Sequence, residues 1–393
     1  MISILGIVLI LLFCYFLSKS KRLISWRTVI SGLFLQAALA FFILKTETGR
    51  KVFEFLSGCI TALIDMAGQG GRFAFGPLYD SPDFIFAFKV APAIIFISSL
   101  VSILYFLGVM HPILKSSSWL LHRLMRVSGA EALANIASAF VGQVESALPL
   151  RPYFAKLSQA QFFAIMVGGM STMSAALLAT YASLGIPSKY LVAANLMGIP
   201  SGLVIAKMLW PSPKEENRQV LPEPEPTQAA NVMDAAVHGA QEGLKISLGV
   251  ISMVIAFLSI VGLLDLFMGL AHTSMSQILG VLLSPFTVLL GVAPEDSRLI
   301  GSLVGQKVAL NEFVSYLDLS HKMNMCHLAP KTLMIASFAI CGFANFGSVA
   351  IQLGAFSQML PERRSEFAEM GILSMFGGAL ASCLSACCAS LFF

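Results

Sequence analysis

Charge is scarce in this chain. Only 12% of its 393 residues are Asp, Glu, Lys or Arg, against 57% hydrophobic ones. A soluble domain needs far more polar surface to stay in water, so a globular soluble protein is excluded. The mean hydropathy of +0.82 agrees. The net charge is also small, +4. That leaves no electrostatic footprint for nucleic acid and fits loops biased toward Lys and Arg. No CxxC pair occurs. Cys14, Cys59, Cys326, Cys341, Cys383, Cys387 and Cys388 lie mostly in apolar runs and read as small buried hydrophobes, not as metal ligands or disulfides. His111, His122, His238, His272, His321 and His327 sit at span ends or loops, without metal spacing or a nucleophile relay. No Ser/His or paired-Asp protease constellation stands out in a predicted span, so neither an enzyme nor a cofactor is expected. Finally, no basic residue precedes the apolar run Ile2–Leu17, whereas Lys19, Lys21 and Arg22 follow it. This polarity opposes a cleavable signal and predicts a retained first span with its N-terminus outside.

What is present is hydrocarbon-length helix. A membrane span needs roughly 20 mostly apolar residues. The stretches Ile2–Leu17, Val29–Leu44, Phe84–Val109, Phe162–Leu184, Tyr190–Leu209, Ile246–Leu270, Thr332–Leu353 and Phe367–Phe392 qualify. The expected class is therefore an all-α polytopic membrane protein with about eight transmembrane helices. Basic residues fall mainly in alternate loops. They predict Lys19–Arg27, Lys115, Arg123, Arg126, Lys214, Arg218, Arg363 and Arg364 inside, with both termini outside. The stretch 45–83 reads as an outer loop. The stretch 210–230 is the one polar linker, rich in proline, and 231–245 reads as an amphipathic helix on the inner surface.

Two further stretches are apolar yet carry polar groups that a full span would not tolerate. Ala130–Leu150 holds Glu131, Gln143 and Glu145. Leu279–Leu319 holds Pro285, Pro294, Gln306, Lys307, Asn311 and Glu312. Both read as re-entrant helical hairpins, allowed where they line a watery cavity. They also echo one another. Val141-Gly142-Gln143 precedes Glu145, and Val304-Gly305-Gln306 precedes Glu312. Each is followed by a span interrupted by small and polar residues, Gly168–Ser174 in one and Cys341–Ser348 in the other. Given the loop charges, the two units are inverted copies. Inverted repeats with broken helices predict alternating access around a midplane site.

An ionised carboxylate at the bilayer centre costs about 2.5–3.5 kcal/mol on insertion scales, so Glu145 and Glu312 need partners or water. Gln143 offers a donor and an acceptor to an amide-bearing heterocycle. Asn345 and Ser348 are three apart and share a helix face. Together with Glu312 they suit a pair of sugar hydroxyls, and Phe343 either packs on the ligand or fills core. Ser171 and Thr172 either bond back to their own helix or, with freed carbonyls, form an oxygen cage for a monovalent cation. Lys307 and Asp318 read as hairpin charges satisfied locally.

At these residues the chain resembles the concentrative nucleoside transporters, bacterial members included. The matching strings are Phe86-Ala87-Phe88-Lys89-Val90, Val141-Gly142-Gln143-Val144-Glu145, Asn311-Glu312-Phe313-Val314 and Cys341-Gly342-Phe343-Ala344-Asn345-Phe346. They run in order from the third span to the C-terminus. The resemblance implies a homotrimer in the cell inner membrane that imports nucleosides by cation symport, with an elevator-like motion. It places base contacts on Gly142, Gln143, Val144, Glu145 and Leu177, and ribose contacts on Glu312, Asn345 and Ser348, with Phe343 beside them. It places a sodium site on Ser138, the Val141 carbonyl, Thr172 and the Met173 carbonyl. Sodium-coupled members typically carry Asn where this chain has Ser138, and Thr where it has Val144. Sodium and a proton both therefore stand as coupling ion, a proton acting through a carboxylate such as Glu145 or Glu312. The implied organisation is scaffold spans over 1–109, an inner interfacial helix over 110–129 and a first repeat over 130–209. A linker and amphipathic helix follow over 210–245, then a scaffold span over 246–278 and a second repeat over 279–393. A membrane-embedded enzyme and a passive channel are the competing readings.

Overall fold

The computed structural model describes residues 2–80, 86–213, 229–270, 272–325 and 328–393. Asp83, Phe84, Lys214, Arg218, Pro222, Pro224, Pro226, Cys326 and His327 lie outside them. Among the described residues the fold is all helix, without a strand. Helices satisfy their backbone polar groups internally, as a lipid-embedded chain requires. Six are long and apolar enough to cross a membrane, and shorter apolar ones include Ile2–Leu17 and Met275–Leu290.

The first half opens with α1 (Ile2–Leu17), α2 (Trp26–Lys45), α3 (Glu47–Phe75), α4 (Phe86–Phe106) and α5 (Met110–Met125). Here α3 departs from expectation, because 45–83 reads as a loop. Glu47, Arg50, Lys51, Glu54, Asp65 and Arg72 interrupt its apolar run. Yet Phe53, Ile60, Ile64 and Ala67 recur at helical spacing and pack inward. Thr46 caps it, its hydroxyl accepting from the Gly49 amide at 2.9 Å.

A compact unit follows. It comprises α6 (Gly129–Val141), a short tip, a 3₁₀ run (Glu145–Lys156), α7 (Gln159–Ser171), α8 (Ala175–Ser183) and α9 (Ser188–Leu209). Capping boxes start α6 and α7, from Ser128 with Glu131 and from Ser158 with Gln161. The expected span Phe162–Leu184 is thus two helices with a break at 172–174. Ser171 and Thr172 bond back to the Gly168 carbonyl, each at 3.0 Å, and Ser174 caps α8.

The second half repeats this order. α10 (Val232–Gly269) and α11 (Met275–Leu290) lead to α12 (Ser297–Ala309), a tip at Leu310–Asn311, and α13 (Glu312–Met325). Then come α14 (Pro330–Ala339), a break, α15 (Phe346–Met359) and α16 (Arg364–Ser390). The amphipathic segment 231–245 and the span beginning at Ile246 are one continuous helix, α10. Nothing at Lys245–Ile246 stops a helix, and α4 gives its first turns a partner, Ser99 donating to the Ala236 carbonyl at 2.9 Å. At 1.5 Å per residue α10 is roughly 57 Å long, well beyond the hydrocarbon thickness. The stretch 279–319 is three helical pieces, and its first, α11, starts at Met275.

The glutamate echo coincides structurally with the helix order. Glu145 opens the 3₁₀ run and Glu312 opens α13, each directly after a tip. The Gly-Gln echo does not. Gly142 and Gln143 form the first tip, whereas Gly305 and Gln306 lie inside α12. The two breaks meet at the centre. A Cβ on Gly342 would lie 2.8 Å from the Ser171 carbonyl carbon, and its φ of +89° also demands glycine. Around them α9 is buried without interruption from Met197 to Leu209. By contrast α1, α2 and α10 expose large apolar side chains such as Phe16, Phe34 and Leu266.

Candidate functional site

The site grows from two tips and two breaks. At the first tip Gly142 has φ +119° and ψ 178°, closed to other residues without strain. A Cβ there would lie 2.9 Å from Glu145 Oε2, so the carboxylate folds across the glycine. Beside it Gln143 is buried with its Oε1 unpaired. At the second tip Asn311 caps α13, accepting from the Val314 amide at 2.8 Å. That cap fixes Glu312 at the helix start. Glu312 is 6% exposed. Its Oε1 accepts from Tyr181 Oη at 3.1 Å and its Oε2 from Asn345 Nδ2 at 2.8 Å. Asn345 in turn caps α15 by accepting from the Ser348 amide at 2.8 Å. One asparagine therefore ties the second break to the carboxylate.

These groups enclose a cavity of about 210 Å³. One water needs only roughly 10–15 Å³, so the space suits a multi-atom ligand. All of the residues nominated for substrate line it: Gly142, Gln143, Val144 and Glu145 from the tip, Leu177 from α8, Glu312 from α13, and Phe343, Asn345 and Ser348 from the second break and α15. The walls are apolar with a few convergent polar groups, the usual character of a small-molecule site.

Family comparisons cover nearly the whole length. The model for the C-terminus of Na⁺-dependent nucleoside transporters matches residues 190–390, and that for their N-terminus matches 5–78. A nucleoside-recognition model matches 87–188. The chain belongs to the sodium-dependent nucleoside transporter family. It is 40% identical to the uncharacterized transporter YutK of Bacillus subtilis, over 99% of this chain and 98% of that one. It is 33% identical to the nucleoside permease NupC of Helicobacter pylori, over 99% and 97%. The structure of CNTnw in an inward-facing, substrate-bound state superposes with a TM-score of 0.94 at 34% identity, covering 100% of this chain and 98% of that one. A double variant of CNTnw in an outward-facing state gives the same score. The family and these structural neighbours are transporters, which sets aside the enzyme reading.

In this nucleoside transporter some lining residues carried little sequence signal. Tyr181 lies one turn after Leu177 on the same face of α8, a spacing that could have exposed it. Its ring stacks on Tyr316 at 4.3 Å, which orients the hydroxyl toward Glu312. Ile246 and Gly249 of α10 close the opposite wall. They are ordinary apolar residues, and only their position in space marks them.

Two of the four nominated sodium positions, Ser138 and Thr172, are in contact. Ser138 Oγ and Thr172 Oγ1 are 2.7 Å apart. Thr172 donates to the Gly168 carbonyl at 3.0 Å, and the single Ser138 proton is shared between Thr172 Oγ1 and the Asn135 carbonyl, 2.8 Å away. The Met173 carbonyl accepts from Asn195 Nδ2 at 3.0 Å, while Val141 lines the substrate cavity. The donor set is hard oxygen, suited to a small cation. Three of its members already hold partners within the protein. Asp318 is satisfied locally, accepting from Gln306 Nε2 at 3.1 Å. Lys307 is not, because it reaches out of its hairpin to the second break.

Proposed function

We propose that this protein imports nucleosides across the inner membrane by cation symport, with both termini outside. The observation that carries the reading is the meeting of Gln143, Glu145, Glu312, Asn345 and Ser348 around one cavity. In this reading Glu312 accepts hydrogen bonds from the ribose hydroxyls, Asn345 and Ser348 fix their register, and Gln143 pairs with the base. Gly142, Val144 and Glu145 form the rest of the base side, with Leu177 and Phe343 packing on the ligand. The two hairpins and their broken helices move together as an inverted pair. They slide as an elevator against scaffold residues 1–109 and 246–278, within a homotrimer. Ile246 and Gly249 support this, since they give the cavity one wall on the long helix α10 and not on the hairpins.

The coupling ion is sodium or a proton. Mutual pairing of Ser138 with Thr172, and of Met173 with Asn195, favours the proton, with Glu145 or Glu312 as its carrier. The test is uptake of labelled uridine and adenosine into proteoliposomes under an imposed sodium or proton gradient. Accumulation above equilibrium under either gradient is expected. Flux that ignores both gradients, with no uphill accumulation, would replace the carrier by a channel.

A further inference from the structure

Lys307 is fully buried in the last turn of α12. Its ammonium donates to the Cys341 carbonyl at 2.6 Å, to Ser382 Oγ at 2.9 Å and to the Ala339 carbonyl at 3.2 Å. An ammonium has three donors, and here three neutral oxygens take them all. Ala339 ends α14 and Cys341 lies in the break that follows, so their carbonyls are not spent on helix. Ser382 comes from α16 and also donates to the Cys341 carbonyl at 2.6 Å. The same break carries Phe343 and Asn345 into the cavity.

The corresponding place in the first half is built otherwise. There the last turn of α6 meets the break after α7 through Ser138 and Thr172. Asn195 of α9 bridges the Ala139 and Met173 carbonyls at 2.9 and 3.0 Å. Those three side chains are neutral. Each half thus gathers the end of a tip helix, the oxygens of a break and a side chain from the long closing helix. Among the described residues, the second half adds a covalently attached positive charge there, Lys307.

We propose that Lys307 is a tethered cation, filling in the second half the post that a free monovalent cation would take in the first. It holds the α14–α15 break in the shape that presents Asn345 and Phe343 to nucleoside. Lys307 is thus a positioning residue, and it makes this half independent of any bound ion. Cutting the side chain back leaves an oxygen cage of two carbonyls and a hydroxyl, which a small monovalent cation can refill.

The inference rests on the nucleoside reading, so its test has a readout that does not need nucleoside. Full-length wild type, Lys307→Ala and Lys307→Met are purified and titrated with uridine and adenosine by calorimetry. The salts are choline, sodium and methylammonium chloride at equal ionic strength. In choline, Lys307→Ala is expected to bind about tenfold more weakly than wild type, and methylammonium or sodium to recover most of that loss. Lys307→Met fills the space without charge and is expected to stay weak in every salt. Melting curves without nucleoside are expected to rise with methylammonium for Lys307→Ala and not for wild type or Lys307→Met. Wild-type affinity in Lys307→Ala without added cation would overturn the proposal. So would weak binding that no cation restores, or failure of Lys307→Ala to fold even with methylammonium present. If wild type itself binds no nucleoside, the transport reading fails and the melting curves alone decide the lysine.

Discussion

Replacing Glu312 by Gln isolates the charge at the heart of the cavity. Glu312 accepts two hydrogen bonds, from Tyr181 at 3.1 Å and from Asn345 at 2.8 Å. A glutamine can keep the geometry of both. Its oxygen accepts from Asn345 Nδ2, and its amide nitrogen donates to Tyr181 Oη, a hydroxyl able to accept. The resting site is therefore preserved while the acceptor offered to a ribose hydroxyl loses its charge. A hydrogen bond to a charged group contributes about 1.5–3 kcal/mol and a neutral one about 0.5–1.5. The difference, on the order of 1–2 kcal/mol, corresponds to roughly 5–30-fold weaker nucleoside binding. Calorimetric titration of the purified protein with uridine and adenosine measures it, and size-exclusion profiles verify the fold. An affinity within about twofold of wild type, with transport intact, would refute a role for the carboxylate in holding the sugar.

Tyr181→Phe removes one of the two bonds that orient Glu312. It should weaken nucleoside binding by roughly 0.5–1.5 kcal/mol in the same titration, less than Glu312→Gln combined with it. Gly142→Ala forces a side chain onto a backbone with φ +119° and against the Glu145 carboxylate. Uptake should fall by at least about tenfold while the protein still folds, since the strain of about 1–3 kcal/mol is confined to one tip. Glu131 and Lys207 form a buried ion pair that anchors the start of α6 to the end of α9. Glu131→Gln removes the charged acceptor of this buried pair and should cost about 3–5 kcal/mol of stability, read as a lower melting temperature. Nucleoside affinity of the fraction that remains folded should change little, because neither residue lines the cavity.

The helices recognised from sequence were those whose apolar runs are unbroken. α1 has the bounds that its composition suggests, and α9 and α16 lie close to theirs. The two breaks also left a trace, since Gly168–Ser174 and Cys341–Ser348 mix small and polar residues inside otherwise apolar spans. Helix α3 was obscured because its charges dilute the average while its inward face stays apolar. The polar start of α10 reads as a separate surface helix, but no residue at 245–246 stops a helix, so the two segments run on as one. Of the site, the acidic and amide residues were legible because such groups are costly in lipid. Tyr181, Ile246 and Gly249 were not, since an aromatic, a branched aliphatic or a glycine in a membrane helix has many ordinary reasons to be there.

By itself the sequence determined that the chain lives in a bilayer, that it is helical, and which polar groups must be sheltered there. These follow from one-dimensional quantities, namely apolar run length and the cost of burying charge. Tertiary structure alone decided which of those groups share a cavity, that Asn345 and Tyr181 both turn to Glu312, and that Lys307 serves the second break and not its own hairpin. Such choices depend on how separate segments approach one another, through distances of a few ångströms between residues far apart along the chain, and no local property of a helix encodes them.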